Sequence, residues 1–251
     1  MSRTYLDWNA TAPLRPEARD AMIAAMEALG NPSSVHAEGR EAKAIVEHAR
    51  AQLAEATGAS NADIVFTSGA TEAAALALAD RDLRSGAVEH DCVAAWTTPN
   101  LPVDADGRVT VDDPAQATVQ VANSETGVLS VLPQGLAATD AVQAIGKVPF
   151  AFAWSGVEMA FVSAHKFGGP KGVGALILKQ GLDVAAALKG GGQEMGRRAG
   201  TENIVGIAGM GAAAMAAQRD LDAGLWDLTA DRRDALEARL KANCPDIILM
   251  G

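Results

Sequence analysis

The chain reads as an α/β protein, and three observations predict it. Short apolar runs recur at Ile64-Val65-Phe66-Thr67, Thr118-Val119-Gln120-Val121-Ala122, Glu158 to Val162 and Val173 to Leu178. Between them lie stretches with apolar residues at helical spacing, such as Ala42, Ile45, Val46, Ala49 and Leu53. Glycine- and hydroxyl-rich segments follow several of the strands, and open α/β sheets bind ligands at strand ends. At 251 residues the chain can hold one large domain and part of a second.

Pro16 marks the first turn of a helix whose apolar positions Ala18, Met22, Ala25, Met26 and Leu29 carry it to Gly30. Asn31-Pro32-Ser33-Ser34 is a loop, and a second helix runs from about Gly39 to Ala56. The strand at Ile64 passes through Ser68-Gly69-Ala70-Thr71 into an alanine-rich helix from Glu72 to about Ala79. The pattern is poor from Asp80 to Pro114. Thr118 to Ala122, a short Leu136 to Thr139, Glu158 to Val162 and Val173 to Leu178 are strands; helices follow at Ile204 to Arg219 and Leu225 to Ala242. Ile247-Ile248-Leu249-Met250 starts a last strand.

Composition narrows the partners. Apolar residues make up 49% and the formal charge is −10, which disfavours nucleic acid and anionic membranes. Cys92 and Cys244 make neither a disulfide framework nor a metal site, so no metal is expected. The N-terminus lacks a signal-peptide core, and the apolar stretch Gly206 to Ala217 falls short of a membrane span. A cytoplasmic location is the expectation.

Ser163-Ala164-His165-Lys166 is the most informative segment, with Phe167-Gly168-Gly169-Pro170-Lys171-Gly172 behind it. A lysine at the end of a buried strand suits a Schiff base to an aldehyde cofactor, because burial and nearby positive charge help its amine lose a proton. At Ser68-Gly69-Ala70-Thr71 the first helical turn offers N–H groups, a dipole and the Thr71 hydroxyl to a phosphate; an ordinary helix capped by Thr71 is the alternative. Asp140 can hold a pyridinium nitrogen protonated, or simply cap a helix. His90 can stack on a flat ring or shuttle a proton. Gly190-Gly191-Gly192 and Arg197-Arg198-Ala199-Gly200-Thr201 combine backbone freedom with cationic donors for an anion or a subunit contact.

In this order the segments resemble the cysteine desulfurases of the class V aminotransferase group, pyridoxal-phosphate enzymes of the aspartate aminotransferase fold. Tyr5 to Pro13, Gly30 to His36, Phe66 to Glu72, Asn123 to Gly127, Thr139 to Gly146, Ser163 to Gly174 and Gly190 to Asn203 carry the resemblance. It implies a three-layer α/β/α large domain of fold type I with a mostly parallel sheet, over residues 15–222. Residues 1–14 would pack toward a C-terminal small domain that begins at 223–251 and is incomplete. Lys166 would bind pyridoxal 5'-phosphate and move the Cα proton. Asp140 would pair with the ring nitrogen, Gln143 with the ring hydroxyl, and His90 would stack on the ring. Ala70, Thr71, Ser163 and His165 would hold the phosphate, and Thr201 would reach the phosphate of a second subunit, implying a homodimer. The asparagine that contacts the ring in the family aligns beside Asn123 and Ser124. The family reaction takes sulfur from L-cysteine as an enzyme persulfide, releases alanine and passes the sulfur to an acceptor or iron–sulfur scaffold protein.

Departures accompany the likeness. The family's persulfide cysteine lies in a C-terminal Ser-Gly-Ser-Ala-Cys loop, followed by an arginine for the substrate carboxylate, and this chain reaches Gly251 with neither. It is therefore expected to be a fragment, with neither Cys92 nor Cys244 as nucleophile. The stretch from Gly127 to Asp140 is short for a crossover helix, so a loop is expected there. Another pyridoxal-phosphate lyase or aminotransferase, such as a selenocysteine lyase, and a non-catalytic cofactor-binding partner in sulfur transfer are the competing readings.

Overall fold

The computed structural model describes residues 3–244 and 246–249. Pro16 opens α1 (Pro16–Ala25), where its missing N–H leaves no bond unmade. This helix is shorter than its apolar spacing predicts. Met26, Glu27 and Ala28 donate to carbonyls three residues back, so the last turn tightens and stops. Gly30 then passes so close to the next helix that a Cβ there would sit 1.8 Å from the Glu38 carbonyl oxygen. Close approach, not helix termination, explains that glycine. His36 caps α2 (Ala37–Ala56), its ring accepting from the Gly39 N–H at 3.3 Å.

The elements continue as β1 (Ala62–Thr67), α3 (Ala70–Leu78), β2 (Arg84–Gly86), α4 (Asp91–Ala94), β3 (Thr98–Leu101) and β4 (Thr139–Asp140). Then come α5 (Phe152–Ser155), β5 (Met159–Ser163), β6 (Gly174–Lys179), α6 (Ile204–Asp222) and α7 (Asp227–Asn243). β1, β6, β5 and β4 lie side by side in that order, β6 antiparallel to both neighbours and β4 parallel to β5. β2 and β3 pair in parallel, and parallel bridges Arg84–Ala117 and Thr118–Ala138 connect them to β4 through the 117–121 segment. Among the described residues β6 alone runs against the rest, so the sheet is mostly parallel.

Three expected strands differ. Thr118 to Ala122 is extended but makes isolated bridges, not a ladder. Its Thr118 and Val121 N–H groups do reach the neighbouring carbonyls of Arg84 and Asp140. The Gln120 N–H, however, goes to the Glu89 carboxyl at 2.9 Å. A side chain has replaced a strand partner. The Leu136 to Thr139 strand is confined to β4, and residues 247–249 form no strand, with Met250 outside the described residues. Turns and loop alone join the 117–121 segment to β4, as the short spacing predicts.

Strand alternation builds the layers. Ile64, Phe66, Ala160, Val162, Ala175 and Ile177 face one core cluster with Val46, Leu53 and Met210 of α2 and α6. Val65, Met159, Phe161, Leu176 and Leu178 face the opposite cluster with Ala73, Ala77 and Val93 of α3 and α4. Helices therefore cover both faces, and truncating a fully buried side chain such as Leu53 or Met210 to alanine costs about 2–5 kcal/mol. α7 contributes no buried residue, although Trp226 at its start donates to the Gly146 carbonyl at 2.7 Å. Among the described residues no helix is long and apolar enough to cross a membrane.

Candidate active site

A cavity of about 600 Å³ opens where β1, β4 and β5 end. Ala70 and Thr71 enter it from the first turn of α3, Ser163, His165 and Lys166 from the end of β5, and Asp140 and Gln143 from β4 and the turn after it. His90 and Ser124 complete the set. Two predicted residues lie elsewhere. Thr201 is exposed on the loop before α6. Asn123 is buried outside the cavity lining, its amide spent on the Val88 carbonyl (3.0 Å) and the Glu125 and Thr126 N–H groups (2.8 and 2.9 Å). Of the neighbouring pair, it is Ser124 that faces the cavity.

One end is made for an anion. The N-cap of α3 is Gly69, without a side-chain bond, so Thr71 is not the cap and its hydroxyl is not spent on one. The Ser68 N–H is already taken by Glu72 (2.7 Å), which Arg198 holds at 2.9 Å. Burial opposes the ionisation of Glu72, but Arg198 and Ser68 outweigh it and keep the carboxyl below its usual range. Gly174 at the start of β6 lets this turn close: a Cβ there would lie 2.5 Å from the Gly69 carbonyl carbon. His165 and Lys171 add donors from the other side. Burial, then Lys166, Lys171 and Lys147, lowers the His165 pKa.

The opposite end holds a buried acid. Asp140 is 7% exposed and accepts from the Val142 N–H at 2.8 Å. Desolvation pushes its pKa up to about 6, against the pull of that N–H, His90 and Lys166. Lys166 is half-buried; burial lowers its pKa, with Asp140, Asp7 and Glu125 resisting. Its amine donates to the Asn9 carbonyl at 2.8 Å.

The N-terminal segment straps this side. Ala12 N–H donates to the His165 carbonyl (2.9 Å), and Thr11 Oγ1 lies 3.1 Å from His165 Nδ1. Lys147 escaped the sequence reading. It donates to Gln143 Oε1, and burial followed by Lys166 lowers its pKa to about 8. The signal was present: Lys147 directly follows the Thr139 to Gly146 segment.

The aminotransferase class-V family profile matches residues 4–94 and 112–245. The chain belongs to this family. It is 41% identical to a cysteine desulfurase of Cereibacter sphaeroides, across 100% of this chain and 73% of that protein. It is 37% identical to the cysteine desulfurase IscS of Dictyoglomus turgidum, across 98% and 72%. The fold is similar to a NifS-like protein from Rickettsia africae, with TM-score 0.83, 29% identity, and 94% and 76% of the two chains covered. DndA from Streptomyces lividans gives TM-score 0.75 at 30% identity, covering 94% and 78%. Class-V members use pyridoxal phosphate, so the chain is a pyridoxal-phosphate enzyme of fold type I.

The residues present fit that cofactor. A dry carboxylate held near pKa 6 is relieved by a protonated ring nitrogen, and the α3 N-terminus with Thr71, His165 and Lys171 suits a phosphate. Lys166 lines the same cavity with an amine.

Proposed function

We propose that this chain provides the cofactor-binding and substrate-activating machinery of a cysteine desulfurase. That reaction takes sulfur from L-cysteine, releases L-alanine and leaves the sulfur on a protein thiol for iron–sulfur cluster or thio-cofactor assembly. The observation that carries the reading is the convergence of Lys166 and Asp140 on one cavity closed by the α3 N-terminus.

Pyridoxal phosphate, when bound, supplies an aldehyde that captures amines and a ring that draws electrons from the substrate Cα. Lys166 would hold that aldehyde through its amine and would carry the Cα proton, helped by its lowered pKa. The Asp140 carboxylate would keep a proton on the ring nitrogen. Gln143 gives one amide hydrogen to the Asn9 carbonyl at 3.1 Å and keeps the other for the ring hydroxyl. His90, exposed on its turn, offers its ring for stacking. The Ala70 and Thr71 N–H groups, the Thr71 hydroxyl, Ser163 and His165 hold the phosphate. Thr201 serves the cavity of a second copy in a homodimer.

The sulfur-taking thiol is neither of the two in this sequence. Cys92 lines the cavity with Sγ 3.1 Å from His90 Nδ1, but burial and then Asp140 push its pKa up to about 12. Cys244 is exposed at the end of α7. The suppressed Cys92 also favours a second reading, a cofactor-binding partner that does not turn over alone. Residues 223–251 as the start of a small domain fit either version, since α7 buries none of its own residues.

Incubation of the purified chain with pyridoxal phosphate and L-cysteine tests the proposal. Cofactor uptake and a cysteine-dependent spectral change are expected, with alanine and sulfide near background. Sustained alanine release would overturn the exclusion of Cys92 and Cys244. No cofactor uptake would overturn the reading itself.

A further inference from the structure

Glu89 immediately precedes His90 and is buried. Its Oε1 accepts from the Gln120 N–H at 2.9 Å, while Oε2 is buried with no hydrogen-bond partner. The turn it belongs to is also held by Gln120 Nε2 and Asn123 Nδ2, both donating to the Val88 carbonyl at 2.7 and 3.0 Å. Glu89 thus clamps the His90 turn onto the 118–121 segment, whose Val121 N–H in turn bonds the Asp140 carbonyl at 2.8 Å.

The surroundings of this carboxyl are acidic. Asp140 of β4 bears on it electrostatically, and it bears in turn on Cys92 of α4, which also feels Asp91. The 118–121 segment brings no titratable group. The groups nearby that oppose this, His90 of the same turn and Lys166 after β5, bear on Asp140. Among the described residues no salt bridge reaches Glu89. Two carboxyls in one dry site do not both ionise cheaply, and the one without a cation keeps its proton.

We infer that Glu89 is a positioning residue, held as a neutral carboxylic acid, that pins the His90 turn and leaves Asp140 the sole negative charge at the ring end of the cavity. The inference rests on the proposed function in so far as that assigns the ring end to Asp140. Burial first, and Asp140 as well, push the Glu89 pKa up to about 8. Protonation also removes the charge from an Oε2 that no donor reaches.

An acid raised in the fold binds more protons there than in the unfolded chain, so its contribution to stability is lost as pH climbs toward the folded pKa. Asp140 has the same sign, but its effect is over near pH 6. His165, lowered by burial, acts oppositely and is finished by its unfolded pKa of 6.5. Lys147 acts above about 8. The window from pH 6.5 to 8 therefore belongs to Glu89.

Urea unfolding of the cofactor-free chain at both ends of that window, for wild type and Glu89→Gln, reads this directly. Across the window the wild-type folding constant is expected to fall about 15-fold relative to that of Glu89→Gln, because the amide keeps the hydrogen bonds without the proton. Parallel slopes would overturn the inference. Infrared spectra of the wild type at pH 7 give a second readout that needs no variant to fold. A buried protonated-carboxyl band that fades above pH 8 is expected, and its absence would overturn the inference. Glu89→Ala should weaken cofactor affinity at least about tenfold through the lost clamp, and unchanged affinity would remove the positioning role. A flat Glu89→Gln profile in a chain that never takes up pyridoxal phosphate would leave Glu89 neutral and sink the functional reading instead.

Discussion

Lys166 Nζ donates to the Asn9 backbone carbonyl at 2.8 Å, so the N-terminal segment restrains the amine around which the cavity is arranged. Burial lowers the pKa of that amine more than Asp140, Asp7 and Glu125 raise it. Covalent capture of pyridoxal phosphate should therefore quicken with pH, with a midpoint below the free-lysine value of 10.5. Stopped-flow absorbance across pH 7–11 measures it, and a midpoint at or above the free-lysine value would contradict the geometry.

Asp140→Asn should trade function for stability. The folded carboxyl titrates at about 6 against 3.8 for an unperturbed aspartate, because burial disfavours its charge. Stability from this group is thus present below the unfolded value and lost as pH rises through 6. At pH 7 the asparagine variant, which keeps its acceptor for the Val142 N–H, should be more stable by up to about 3 kcal/mol without cofactor. Its affinity for pyridoxal phosphate should fall, as the ring nitrogen loses its counter-charge. Denaturation and absorbance titration together report both effects.

The segment that presents Thr201 depends on a buried ion pair. Glu194, with its side chain 2% exposed, takes two bonds from Arg50 at 2.9 and 3.0 Å and one from the Phe66 N–H at 2.9 Å. Glu194 and Met195 adopt φ of 48° and 59°, a left-handed conformation these residues hold only when the surroundings impose it. Glu194→Ala should cost about 3–5 kcal/mol in chemical denaturation, since it leaves the largely buried Arg50 with only the exposed Glu47 carboxylate at 3.2 Å and the Phe66 N–H without its acceptor.

Thiol labelling should separate the two cysteines. Cys244 is exposed, whereas Cys92 is buried and pushed up to about 12, which leaves only about one thiolate in 10⁵ at pH 7. Iodoacetamide followed by peptide mapping should modify Cys244 long before Cys92. Equal rates would mean that the pocket around His90 is open.

Much of this was legible in the chain because it rests on local pattern. Continuous apolar runs at Glu158 to Val162 and Val173 to Leu178 placed the central strands, which are buried on both faces, and Asp140, Gln143 and Lys166 came from segments whose order is distinctive. What the sequence hid are contacts made across the chain. Gly30 reads as a helix end until Glu38 is seen against it. Thr118 to Ala122 reads as a ladder strand until Glu89 takes its Gln120 N–H. Asn123 reads as a cofactor ligand until its amide is found holding the turn below Val88. Lys147 lies beside a recognised segment and reaches Gln143 only four residues back, but its burial next to Lys166 comes from the fold.

Borohydride reduction of the chain with pyridoxal phosphate, followed by peptide mass spectrometry, tests the central claim most directly. The cofactor mass should be fixed on the peptide carrying Lys166, and Lys166→Ala should lose it. Label on Lys147, Lys171 or scattered surface lysines, unchanged in Lys166→Ala, would contradict the account.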